Sequence, residues 1–143
     1  MGLNLLKRGL IKMKFDLTEL NPGVFFSFDE NEDGAGGVTI RLANGKILDE
    51  INKACIKKKV EFRRGQRHEV IIDNDELRSK MLWEYVIIDW KGLYDQDGKE
   101  IPCTKENKVM LMQGSVKFSS FIGNCVEKLT EETEAYEGNL EKN

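Results

Sequence analysis

The residue types that could do chemistry fall in three places. Asp29, Asn31 and Asp33, followed by Gly34, put oxygens at the first, third and fifth positions of a calcium-binding loop and a glycine at the sixth. The twelfth position, where a bidentate glutamate would complete coordination, is Ile40, and the flanks have the pattern of strands rather than helices. A polar hairpin loop using Asp, Asn and Gly for turn geometry accounts for the same residues. His68 is the single histidine and sits in the solvated run Arg63-Arg64-Gly65-Gln66-Arg67-His68-Glu69. With no second histidine or paired cysteine to share a metal ion, it reads as a surface residue. Cys55, Cys103 and Cys125 are dispersed and include no Cys-x-x-Cys. A nucleophilic pair of Cys103 or Cys125 with His68 would need surroundings that activate the thiol, and no local signature marks one. Phosphate loops, dinucleotide fingerprints and Gly-x-Ser-x-Gly are lacking. The expectation is a non-enzymatic protein with no catalytic residue, no cofactor and no metal site.

Two stretches are candidates for binding. Lys53, Lys57, Lys58, Lys59, Arg63, Arg64 and Arg67 put seven cations within fifteen residues, with Glu61 as the lone acid. Such a run could meet nucleic-acid phosphates. Phe62 is the one aromatic among them, which is poor material for base stacking, and the net charge of −3 is mild. The alternative is a solvated helix end and hairpin face whose cations discourage edge pairing. From Glu127 onward, six glutamates stand against Lys128 and Lys142. There Leu129, Tyr136 and Leu140 recur seven and four apart, as a helix-in-groove ligand would present them, although a solvated face explains the charges equally well. The partner-binding candidates are therefore Leu129, Tyr136, Leu140, Lys57, Lys58, Lys59, Arg63 and Arg64.

The elements that must position these residues follow from periodicity and turn chemistry. A chain of 143 residues suits one domain with a continuous core. Residues 1–12 read as an arm outside the fold, 13–130 as a single α+β domain, and 131–143 as an acidic, fraying C-terminal helix. No run reaches the roughly 20 apolar residues of a membrane span. Three scattered thiols suit a reducing compartment, so the cytoplasm is expected.

Segment 23–28 is aromatic and β-branched, and Val38, Ile40 and Leu42 alternate with polar neighbours over 37–43, which predicts a first hairpin. Ile47, Leu48, Ile51, Ala54 and Cys55 predict a short amphipathic helix over 46–57. Strands at 60–63 and 69–73 predict a second hairpin around Arg64-Gly65-Gln66. A helix over 77–90, capped by Asp73-Asn74-Asp75, would carry Trp83, Val86, Ile87 and Trp90 on one face, with the β-branched 86–88 leaving a strand open there. Asp95–Gly98 is a turn, Thr104 caps a helix over 105–112, and Ser115 caps a last helix with Phe118, Phe121, Ile122, Cys125, Val126 and Leu129 at helical spacing. The predicted fold class is α+β: N-terminal antiparallel β hairpins with one short helix, then a C-terminal helical half.

The stretch 77–108 as a whole, with Asp89-Trp90 leading into Asp95–Gly98, Ile101-Pro102-Cys103-Thr104 and Glu106-Asn107-Lys108, resembles small phage and prophage tail-assembly proteins, the tail assembly chaperones and tail components. Phe15-Asp16-Leu17-Thr18-Glu19-Leu20-Asn21-Pro22-Gly23-Val24 and the acidic helical C-terminus suit the same group. The resemblance implies a protein-binding role toward a phage tail protein, the tape-measure protein or a tube subunit, whose apolar helical stripes would be shielded during assembly. It carries over no catalytic residue. A nucleic-acid-binding accessory role through 53–67 is the alternative.

Overall fold

The computed structural model describes residues 13–142, with side chains through residue 135. The expected N-terminal arm at 1–12 lies outside the described residues.

Strand β1 (Val24–Ser27) pairs antiparallel with β2 (Gly37–Ile40), and β2 pairs antiparallel with β5 (Ile87–Lys91), giving a three-stranded sheet with β2 at its centre. Between β2 and β5 run helix α1 (Gly45–Cys55), the hairpin β3 (Ile56–Arg63) and β4 (Gln66–Asp73), and helix α2 (Asp75–Val86). Helices α3 (Lys105–Gly114) and α4 (Val116–Lys142) complete the chain. The α+β class, both hairpins and the helical C-terminal half are as expected.

Caps fix the helix starts. The side chains of Asn44, Asn74 and Thr104 accept the N–H groups of Ile47, Leu77 and Asn107, and Ser115 Oγ accepts that of Phe118. Each satisfies a donor that the first helical turn leaves orphaned. At Asn74 the backbone N–H also donates to Cys55 O at 3.0 Å, closing the base of the β3–β4 hairpin. Asn74→Ala is expected to lose about 1 kcal/mol, read as a lower urea midpoint at unchanged slope. Asn74→Asp should retain most of it, and equal losses in both would discard the cap as the cause.

The expected helix over 77–90 is corrected. It ends at Val86, and 87–91 is strand β5. Ile87 and Trp90 are buried as the helical reading required, but a β-bulge places them there. Trp90 pairs with Val38, Asp89 with Thr39 and Ile87 with Ile40, so Ile88 is an extra residue in the ladder. One extra residue turns the two-residue alternation of a strand into a three-residue step between buried positions. That step is indistinguishable from helical spacing in the sequence. The helix expected over 46–57 likewise stops at Cys55, because Ile56 and Lys57 already belong to β3.

Phe26, Val38 and Trp90 lie directly opposite one another across the sheet and so share a face. Helix α4 packs on that core through Phe118, Ile122 and Cys125, spaced four and three apart. The Trp90 and Phe118 rings meet edge to face with centroids 5.7 Å apart, and Trp90 Nε1–H donates to Ile101 O at 2.7 Å. Lys108 is 5% exposed; its Nζ donates to Glu84 O at 3.3 Å and lies 3.4 Å from Glu84 Oε2, tying α3 to α2.

Candidate partner-binding surfaces

The segment after β5 folds back on itself through two backbone bonds, Ile101 N–H to Leu93 O at 2.7 Å and Asp95 N–H to Lys99 O at 2.8 Å, and Trp90 Nε1–H ties it to the sheet at Ile101 O. Asp95 Oδ1 accepts from the N–H groups of Asp97 and Lys99, which makes the predicted turn. This folded-back segment, the start of α4 and Phe28 enclose an open groove of about 730 Å³. Its floor is apolar: Phe28, Leu93, Ile101, Phe118 and Phe121, with the Phe28 and Phe121 rings 5.1 Å apart. Tyr94 stands at the rim, 62% exposed, and Ser120 and Lys117 of α4 line the same mouth. A largely apolar floor under a polar rim is the usual make-up of a site for an apolar ligand or side-chain row.

Sequence reading missed this groove, because its residues come from four segments, Phe28, 93–101, Leu111 of α3 and α4 with its cap, that only the fold brings together. The one local hint was Leu93-Tyr94, an apolar pair immediately before a turn.

The basic stretch is placed elsewhere. Strands β3 and β4 form a separate two-stranded sheet of eight residue pairs, with Arg64 and Gly65 both at positive φ in a two-residue turn. This geometry suits the twist of a hairpin, and at about 3.3 Å per residue the arm extends roughly 25 Å. Lys57, Lys59 and Arg63 lie on one face with Glu61 and His68, while Lys58 falls on the other with Ile56, Val60, Phe62 and Ile71. Arg64 sits in the turn.

The acidic candidates divide. Leu129 is half-buried against the core and borders a cleft with Leu20 and Leu42. The side chains of Tyr136 and Leu140 lie outside those described.

The remaining chemical candidates have structural employment. Asp29 Oδ1 accepts from Asn31 N–H at 3.0 Å within the β1–β2 connection, and Ile40 is fully buried in β2. His68 pairs across from Glu61 on the exposed arm, whereas Cys55 and Cys125 are buried and Cys103 is half-buried before α3. Burial pushes the Cys103 thiol above its ordinary value, with Lys108 opposing, and burial raises Cys125 likewise against Lys128. A raised pKa means less thiolate at a given pH, so the alkylation profile moves to higher pH. At about pH 8, both thiols are expected to react with iodoacetamide at least roughly severalfold more slowly than free cysteine. Either one reacting faster would restore the nucleophile reading.

A family model described as YdaY prophage protein matches residues 41–143, more than two thirds of the chain. The chain belongs to the YdaY prophage protein family. No curated protein and no solved structure matches it. In this prophage protein the matched region starts just after β2 and takes in the β3–β4 arm, β5 and the four described helices. No described helix is long and apolar enough to cross a membrane.

Proposed function

We propose that this prophage protein is a non-enzymatic tail-assembly factor acting in the cytoplasm, where it holds an apolar helix of a tail component, the tape-measure protein in the first place or a tube subunit. The observation that carries this reading is the groove: an apolar floor of about 730 Å³ under Tyr94, open to solvent and bounded by the α4 surface. Its volume and apolar lining suit side chains of one partner helix, recognised through anchors three and four residues apart. Covering such a stripe during assembly would keep an otherwise sticky client soluble. The likeness of 77–108 to tail-assembly proteins supplies the choice of partner. A nucleic-acid role through Lys57, Lys59 and Arg63 is less well served, because the face that carries them also exposes Ile72.

The test is co-expression with the tape-measure protein encoded by the same prophage. Wild type should raise the soluble fraction of the client. Ser120→Glu, which sets a carboxylate at the groove mouth on an exposed helical position, should weaken binding about tenfold, equivalent to roughly 1.4 kcal/mol. A client equally soluble alone, or captured equally by Ser120→Glu, would refute the assignment.

A further inference from the structure

Among the described residues, two oppositely charged features lack counterparts. The β3–β4 arm has no third strand among the described residues, and one of its faces carries Ile56, Val60, Phe62 and Ile71, with Phe62 73% and Ile71 65% exposed. Two-stranded sheets are marginal by themselves and are normally completed by packing against a further layer. Within the arm, Arg63 and Arg67 reach Glu61 and Glu69, whereas Lys57, Lys58, Lys59 and Arg64 make no ion pair with another described residue. On α4 the situation is reversed. Glu127, Glu131, Glu132 and Glu134 are exposed and unpaired among the described residues, and their one neighbouring cation, Lys128, points to Glu30 at 3.6 Å. Glu127, Glu131 and Glu134 follow at intervals of four and three, which lines them along one flank of the helix.

We propose that the β3–β4 arm of one copy docks along the acidic flank of α4 of a second copy. Pairing of arm with arm is disfavoured because identical lysine rows would face each other. An acidic surface is required, and this chain presents one of its own. Ile72, opposite Lys57 on the lysine face and 45% exposed, favours a protein surface, which can cover it, over a phosphate backbone, which cannot. Because the two contacting patches differ, the association is head to tail: every copy uses its arm and offers its helix. The docking is independent of the groove and of whatever occupies it.

Sedimentation velocity on the full chain tests this at roughly 50 mM and 500 mM salt, where screening separates charged from apolar association. Wild type should associate at low salt and weaken at least about tenfold at high salt. The triple variants Lys57→Glu/Lys58→Glu/Lys59→Glu and Glu127→Lys/Glu131→Lys/Glu134→Lys should each sediment as monomers. Their equimolar mixture should associate again, since the acidic arm of one variant then meets the basic helix of the other, and the basic arm of the second meets the acidic helix of the first. All six positions are exposed, so unchanged circular dichroism verifies folding. A monomeric wild type at low salt, variants that associate alone, or a mixture that stays monomeric would each overturn the proposal. Binding of a labelled DNA duplex by a monomeric wild type, lost in the lysine variant, would reassign the arm to nucleic acid.

Discussion

Trp90→Ala is expected to destabilise the protein by about 3–5 kcal/mol, the cost of emptying a buried aromatic site that cannot fully collapse. Trp90 is 5% exposed in β5 and touches the core from two directions. Its ring meets Phe118 of α4 edge to face, and its Nε1–H donates to Ile101 O, which holds the folded-back segment against the sheet. The loss therefore reaches beyond the cavity to the groove, whose floor includes both Phe118 and Ile101. Against a typical total of about 5–15 kcal/mol, this would unfold much of the population. Urea denaturation should show a large drop in midpoint, and partner capture should fall with it. Trp90→Phe separates the contributions: the ring packing largely survives, and the orphaned Ile101 carbonyl costs about 1–3 kcal/mol. Should Trp90→Ala cost less than about 1 kcal/mol, the core is not organised around this residue.

Gly36→Ala is the second large effect, with an expected loss of about 3 kcal/mol. The backbone at Gly36 runs against that of β5: an added Cβ would strike Lys91 O and come within 2.7 Å of Gly92 Cα. Both obstacles are main chain, so relief requires the strands to part. Gly36 O also accepts from Phe28 N–H at 2.9 Å, and a shift there would disturb the first hairpin and the Phe28 wall of the groove. Gly123 provides the control. It lies on the exposed side of α4, where an added Cβ meets nothing within 4 Å. Gly123→Ala should stabilise by roughly 1 kcal/mol through helix propensity alone. The same chemical change is thus expected to have opposite signs at two positions. Thermal melts of the two variants would show it, and a harmless Gly36→Ala would mean that the close strand approach is not maintained in solution.

Much of the architecture is local in origin and was legible in the residues. Asn74, Thr104 and Ser115 marked helix starts because a short polar side chain satisfies orphan N–H groups wherever it precedes a helical run. The stripe of α4 was readable because an amphipathic helix repeats its buried face every three to four residues. The β3–β4 hairpin followed from two β-rich runs about a glycine turn, although its strands proved longer than the apolar pattern suggested. Periodicity finds strands by their burial alternation, and this arm buries almost nothing.

Tertiary structure alone decided two matters. The first is the identity of β5: a bulge at Ile88 copies the helical interval between Ile87 and Trp90, and pairing with β2 selects the strand. The second is the groove, assembled from Phe28, Leu93–Ile101, Leu111 of α3 and α4, none of which carries a signal for the others. Caps, turns and amphipathic stripes are set by neighbours within about four residues, so the sequence determines them directly. A surface formed where distant segments meet depends on which of several acceptable packings buries the most apolar area, and that is settled only when the whole chain has folded.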